Sequence, residues 1–173
     1  MTEATANKNS DKAPFRPLAS RRRRFVVVVD DSPECHVAIR FASGRAAHVD
    51  GGGLVLFHVI PPAEFQHWMA VEDRMREESL EEAELLMKDV ADTVYNYCGV
   101  HPEVVIRQGQ PKEELQNFIE QEKDLFALFL GADTEGEPGP LVSYFSGPLV
   151  GSLRCPVVIV PGCLEDDQID EMV

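Results

Sequence analysis

The sequence predicts an α/β fold, a three-layer sandwich in which a five-stranded, parallel, doubly wound sheet is covered by helices on both faces. Three observations predict it. Five short apolar runs alternate with stretches of helical periodicity, an order that implies right-handed crossovers between parallel strands. The runs are apolar at consecutive rather than alternate positions, as strands hidden on both faces must be. The first of them, Phe25 to Val29, stops abruptly at Asp30-Asp31-Ser32. Charge therefore begins where the carboxyl edge of the sheet should lie, the edge at which open α/β sheets bind ligands.

The four valines of the first run pack well on a pleated surface, which makes it the central strand. Ser32-Pro33 then reads as a helix start, with a serine oxygen to accept an orphan amide and proline suited to the first helical position. Val37, Ala38, Phe41 and Ala42 fall on one face of a helix over 33–48. Gly51-Gly52-Gly53 closes the connection to a second strand, Leu54 to Ile60, which Pro61-Pro62 ends because proline cannot continue a ladder. Phe65, His67 and Trp68 sit in a loop without clear period, placed either to plug the rim of the sheet or to cover a cleft. The longest helix is expected over 71–98, with Ala83, Leu86, Met87, Val90, Val94 and Tyr97 on its buried face and Glu77, Glu78, Glu81, Glu82 and Glu84 on its solvated side.

Gly99 stands where a glycine ends a helix, and Pro102 follows. Glu103 to Gln108 is a third strand, and Gly109-Gln110-Pro111 turns into a helix with Leu115, Phe118 and Ile119 facing inward. Leu125 to Leu130 is the fourth strand. A loop over 131–140 leads to a weak helix, marked by Val142, Phe145, Leu149 and Leu153 and interrupted at Pro148. Pro156 to Val160 is the fifth strand, stopped by Pro161-Gly162. The remaining residues, 163–173, form an acidic tail expected to be loose.

A chain of 173 residues suits one domain with a real core. That domain is expected over 24–162, behind a disordered basic leader, 1–23. The formal charge of −14 argues against nucleic acid or an anionic membrane as the main partner, since both would be repelled. Residues 1–24 nevertheless hold seven basic residues against two acidic ones, so the body is more acidic than the total. Arg21 to Arg24 precede only five apolar residues before Asp30, short of the roughly 7–15 that an export signal needs. A cytoplasmic protein is expected. Cys35, Cys98, Cys155 and Cys163 form no Cys-x-x-Cys pair and read as buried thiols in a reducing compartment.

Nothing in the pattern marks a catalyst. His36, His48, His58, His67 and His101 are scattered without the i, i+4 spacing of a helical metal site, and no Gly-x-Ser-x-Gly elbow occurs. Adjacent strand residues point to opposite sides, so Asp30 and Asp31 do not make an acid–base pair. A phosphate-accepting receiver domain also shows paired acids after its first strand. It further needs an Asp ending a later strand and a Lys ending the last, whereas these strands end His58-Val59-Ile60, Arg107-Gln108, Leu130-Gly131 and Val160-Pro161.

Taken together, Val26 to Ser32, Leu54 to Ile60, Gly109, Leu128 to Gly131 and Cys155 to Pro161 resemble the universal stress protein family over residues 24–162, in a bacterial form lacking the full ATP-binding glycine motif. In ATP-binding members of that family the fourth strand leads into Gly-x-x-Gly, nine further residues, then Gly-Ser or Gly-Thr around the phosphates. Glycine is needed there because a side chain keeps backbone amides away from the anion. Here Gly131 begins the motif, but Thr134 and Val142-Ser143 replace the later glycines, and Asp133, Glu135 and Glu137 bring charge of the wrong sign. The resemblance implies that Asp30 and the backbone of Val59 hold adenine or ribose, with Gly131 and Ser143 toward the phosphates. The competing reading makes Asp30 a helix cap and Gly131 and Ser143 turn and helix-start residues.

The resemblance thus implies a non-enzymatic, cytoplasmic stress-response or regulatory protein with weak or no ATP binding and no required cofactor. It also implies a homodimer that pairs the strand Pro156 to Val160. An ATP- or AMP-binding switch of the same fold, and an enzyme acting on a nucleotide-like or small phosphorylated substrate, are the alternatives.

Overall fold

A computed structural model describes residues 22–62 and 69–173. In chain order its elements are β1 (Arg23–Val28), α1 (Pro33–His48), β2 (Gly52–Ile60), α2 (Met69–Cys98), β3 (Glu103–Gln108), α3 (Pro111–Gln121), β4 (Leu125–Ala132), α4 (Pro140–Ser146), β5 (Val157–Pro161) and α5 (Asp166–Met172), with a 3₁₀ turn over Pro148–Ser152. All strand pairs are parallel and their order is β3-β2-β1-β4-β5. The sequence-based fold class is the one observed. Because the chain runs outward from β1 on one side and from β4 on the other, the order reverses between these two strands, and a crevice opens at their carboxyl ends.

The three inner strands, β1, β2 and β4, are buried on both sides, as their unbroken apolar runs require, while β3 and β5 at the edges are partly exposed. One face packs Phe25, Val27, Val29, Leu54, Leu56 and Phe129 against Ala38, Ile39 and Ala42 of α1 and Met87, Val90 and Val94 of α2. The other packs Val26, Val55, Phe57, Leu128 and Leu130 against Leu115, Phe118 and Ile119 of α3 and Val142 and Phe145 of α4. Pro148 ends the α4 periodicity as expected, replacing α-helix by the 3₁₀ turn.

Three expectations are corrected. Residues 163–173 are not loose: α5 packs on α1 with Ile169 fully buried, and its N-terminus closes a capping box between Glu165 and Gln168. Arg40 of α1 holds Asp166 at 3.3 Å and Asp170 at 2.7 Å. Arg40 also lies over the ring of Tyr97, whose hydroxyl donates to Asp170 at 2.6 Å. An acidic stretch looked solvated in sequence because its basic and aromatic partners lie far away in the chain.

Second, the basic run enters the body. Arg23 begins β1, and Arg24 reaches Glu103, Glu122 and Asp124 at 2.8, 2.6 and 3.0 Å, which together raise its already high pKa despite partial burial. Third, the cysteines are not alike. Cys35 and Cys155 are buried, Cys98 is partly buried and Cys163 is exposed. The leader over 1–21 and the loop with Phe65, His67 and Trp68 lie outside the described residues.

Candidate functional site

The crevice at the strand reversal is a cleft of about 200 Å³. Its floor comes from the ends of β1, β2 and β4 (Val29, Phe57, Leu130), and its walls from the first turns of α1, α3 and α4. Asp30 stands at its edge because β1 ends at Val28 and the chain must turn into α1. The Asp30 carboxylate accepts from the Ser32 amide at 3.1 Å and from the Ser32 hydroxyl at 2.6 Å. Ser32 is the N-cap of α1 and accepts from the amide of Cys35. Asp30 thus does take part in capping α1, through one oxygen, and it also lines the cleft.

Cys35 closes the turn. Its sulfur accepts from the amide of Asp30 and donates to the carbonyl of Val28. Burial pushes this thiol up to about 12, and the neighbouring Asp30 carboxylate adds to the shift. It stays protonated and is no nucleophile. Across the cleft, Nδ1 of His58 lies 2.8 Å from the carbonyl of Val29. A carbonyl only accepts, so Nδ1 carries the hydrogen and Nε2 is the ring's remaining acceptor.

Gly131 is held by packing. A methyl group on it would run into the carbonyl oxygen of Glu34 in the first turn of α1, and one on Gly162 would meet both Glu34 and the carbonyl of Ala132. Two glycines at the ends of β4 and β5 therefore let α1 settle onto the sheet and fix the cleft's width.

The family model for the universal stress protein family matches residues 21–161. The chain belongs to that family. The universal stress protein Rv2623 of Mycobacterium tuberculosis is 29% identical over 147 residues, covering 79% of this chain and 46% of that protein. The chain spans about half the length of the curated relatives it matches. Among solved structures, the universal stress protein UspA of Lactobacillus plantarum superposes with a TM-score of 0.67 at 20% identity, covering 82% of this chain and 99% of its own. A family member from Arabidopsis thaliana with AMP bound gives 0.56 at 19%, covering 80% and 91%. At these identities the likeness is one of fold.

Of the residues that the family resemblance singles out, Asp30, Val59 and Gly131 line one cleft. Ser143 does not. It is exposed inside α4, one turn past the N-cap Gly139, while its neighbour Val142 turns inward and is 4% exposed. Thr134 is likewise exposed in the loop, away from the cleft lining. That loop is organised by its own acid, Asp133, which accepts from the amide of Glu135 at 2.9 Å.

Sequence reasoning missed Glu34, Cys35, His58 and Gly139-Pro140 as cleft residues. Gly139, at φ 98°, turns the chain into α4, and the Gly-Pro pair was the available signal for that start. Among the described residues no Lys or Arg lines the cleft, and no group of acids, histidines and cysteines could hold a metal ion.

Proposed function

We propose that this protein is a non-enzymatic, cytoplasmic member of the universal stress protein family that acts by binding a small ligand in the cleft, with weak or no affinity for ATP. The observation that carries this reading is the lining of the cleft: an apolar floor edged by Asp30, with no Lys or Arg among the described residues that line it and with Thr134 and Val142 in place of two of the family's phosphate-loop glycines. Asp133, Glu135 and Glu137 on the adjoining loop are exposed and repel an anion approaching from that side, by about 1 kcal/mol or more for each carboxylate within 4–6 Å. The nucleoside half of the site keeps Asp30 and Val59. The absence of turnover is supported by the state of the polar groups: Ser32 is spent as a cap, Cys35 is protonated, and His58 points its hydrogen at a carbonyl.

The dimer of this reading pairs β5, an edge strand whose Ile159 is 42% exposed. A second reading, an adenine-nucleotide switch, draws support from the Arabidopsis relative with AMP bound. Calorimetry with adenosine, AMP and magnesium ATP separates the two. Affinity should fall in that order, and micromolar binding of ATP, tighter than AMP, would replace the first reading with the second.

A further inference from the structure

The polar atoms on the β1–α1–β2 side of the cleft are unevenly used. The hydroxyl of Ser32 donates to Asp30, the thiol of Cys35 to the carbonyl of Val28, and Nδ1 of His58 to the carbonyl of Val29, while the amide of Asp30 is taken by the Cys35 sulfur. Among the side chains of this wall, what remains is one kind of group. The second oxygen of Asp30, the carboxylate of Glu34 and Nε2 of His58 have no hydrogen-bond partner among the described residues, and all three are acceptors. Two carry negative charge, and none of the lining residues carries positive charge to offset it.

The helix starts around the cleft offset this only in part. At α1, Asp30 takes the amide of Ser32 and Ser32 that of Cys35. The first turn of α3 brings Glu113 and Glu114, which counter its positive end. The first turn of α4 opens with Pro140, which has no amide hydrogen, and leaves the uncapped amides of Leu141 and Val142 as the donors on the opposite wall. A formal charge of −14 on the whole chain adds a field that gathers cations and disperses anions.

We infer that the cleft takes a protonated amine: a ligand with an ammonium or similar donor group at the Asp30 and His58 end and an apolar body over Phe57, Leu115, Leu130 and Val142. This rests on the reading of the cleft as a binding site and specifies the charge of what it binds. An ammonium supplies three donors to a wall whose unpaired side-chain atoms only accept. Charge-assisted bonds of this kind are the strong ones in a partly desolvated site.

Tryptamine and indole-3-acetate make the test, since they share a ring and differ in the sign of the charged end. Binding to the full-length protein is followed by NMR through the Val59 amide and the His58 ring, with adenosine as a third probe. Tryptamine should shift both signals and bind about tenfold or more tighter than indole-3-acetate. Asp30→Asn, which keeps an oxygen for the Ser32 cap, should remove that preference while the melting temperature stays close to wild type. Glu34→Gln serves as the second variant should Asp30→Asn unfold, and Asp133→Asn, outside the cleft, should leave tryptamine binding unchanged. Equal or tighter binding of indole-3-acetate, or equal loss in Asp133→Asn, overturns the amine proposal. Adenosine binding without tryptamine binding overturns it too while leaving the cleft intact as a site. Silence from all three probes removes the cleft reading as well.

Discussion

Gly131 illustrates how one residue can satisfy a family pattern for a reason of packing. Its missing side chain makes room for the Glu34 carbonyl, a backbone atom that cannot swing aside. Gly131→Ala should therefore cost about 1–3 kcal/mol in urea unfolding, in the range of overpacked cores, and should lower affinity for any cleft ligand by displacing α1. A variant as stable as wild type would show that α1 is free to move. The position was legible in the sequence as the end of an apolar strand, but its partner was not. Glu34 looked like any exposed acid in a first helical turn, and only the crossing of α1 over β4 brings its carbonyl to the glycine. Asp30 was legible in both its roles, since Asp30-Asp31-Ser32-Pro33 writes strand end, cap and helix start in consecutive residues. Ser143 was placed by a count of spacings, and the structure sets it inside α4, outside the cleft lining. Gly139-Pro140 starts α4 four residues before it, so the family's glycine–serine position falls inside a helix.

Among the elements, α5 was the least legible. Seven residues with three aspartates and one glutamate carry almost no periodic signal, and their docking depends on Arg40, Tyr97 and the small residue Gly44, against which Val173 packs. Ile169→Ala should cost about 2 kcal/mol or more and speed amide exchange across α5.

The clasp also has a pH window. Burial and the bond to Asp170 push Tyr97 up to about 12, so its contribution is complete below the ordinary tyrosine value near 10 and is lost as pH rises from there through about 12. The bonds from Arg40 and Tyr97 hold Asp170 below its ordinary value of 3.8. Its contribution is present above that value and fades as pH falls beneath it. Ultraviolet titration of tyrosinate should find one late-titrating tyrosine, restored toward 10 in Asp170→Ala. An unshifted titration in that variant would show that the hydroxyl does not depend on α5.

At the scale of the molecule, the alternation of apolar runs with helical stretches was enough to fix class, strand count and parallel pairing, because both faces of every strand must be covered. The central place of β1 was readable from its valines, but the order of the other strands was not, and it is that order which puts β3 and β5 at the edges. Both edges expose an apolar residue, Val104 on β3 and Ile159 on β5, and on β5 the neighbouring Val158 packs inward against the α1 face. Ile159→Lys therefore places a charge on the free edge without entering the core. Light scattering should record a change from dimer to monomer at unchanged melting temperature for the monomeric fold. A wild-type mass that is already monomeric, or a dimer that survives the lysine, would remove β5 as the pairing edge.

The seat of α1 on Gly131 and Gly162 reaches beyond stability. With its first turn pressed against backbone on two strands, the wall that bears Asp30 and Cys35 has no slack to swing inward around a guest. Recognition must then be by a socket shaped in advance, so the arrival rate of a small molecule is set by diffusion and charge, and its departure by how well it fills a space that does not tighten.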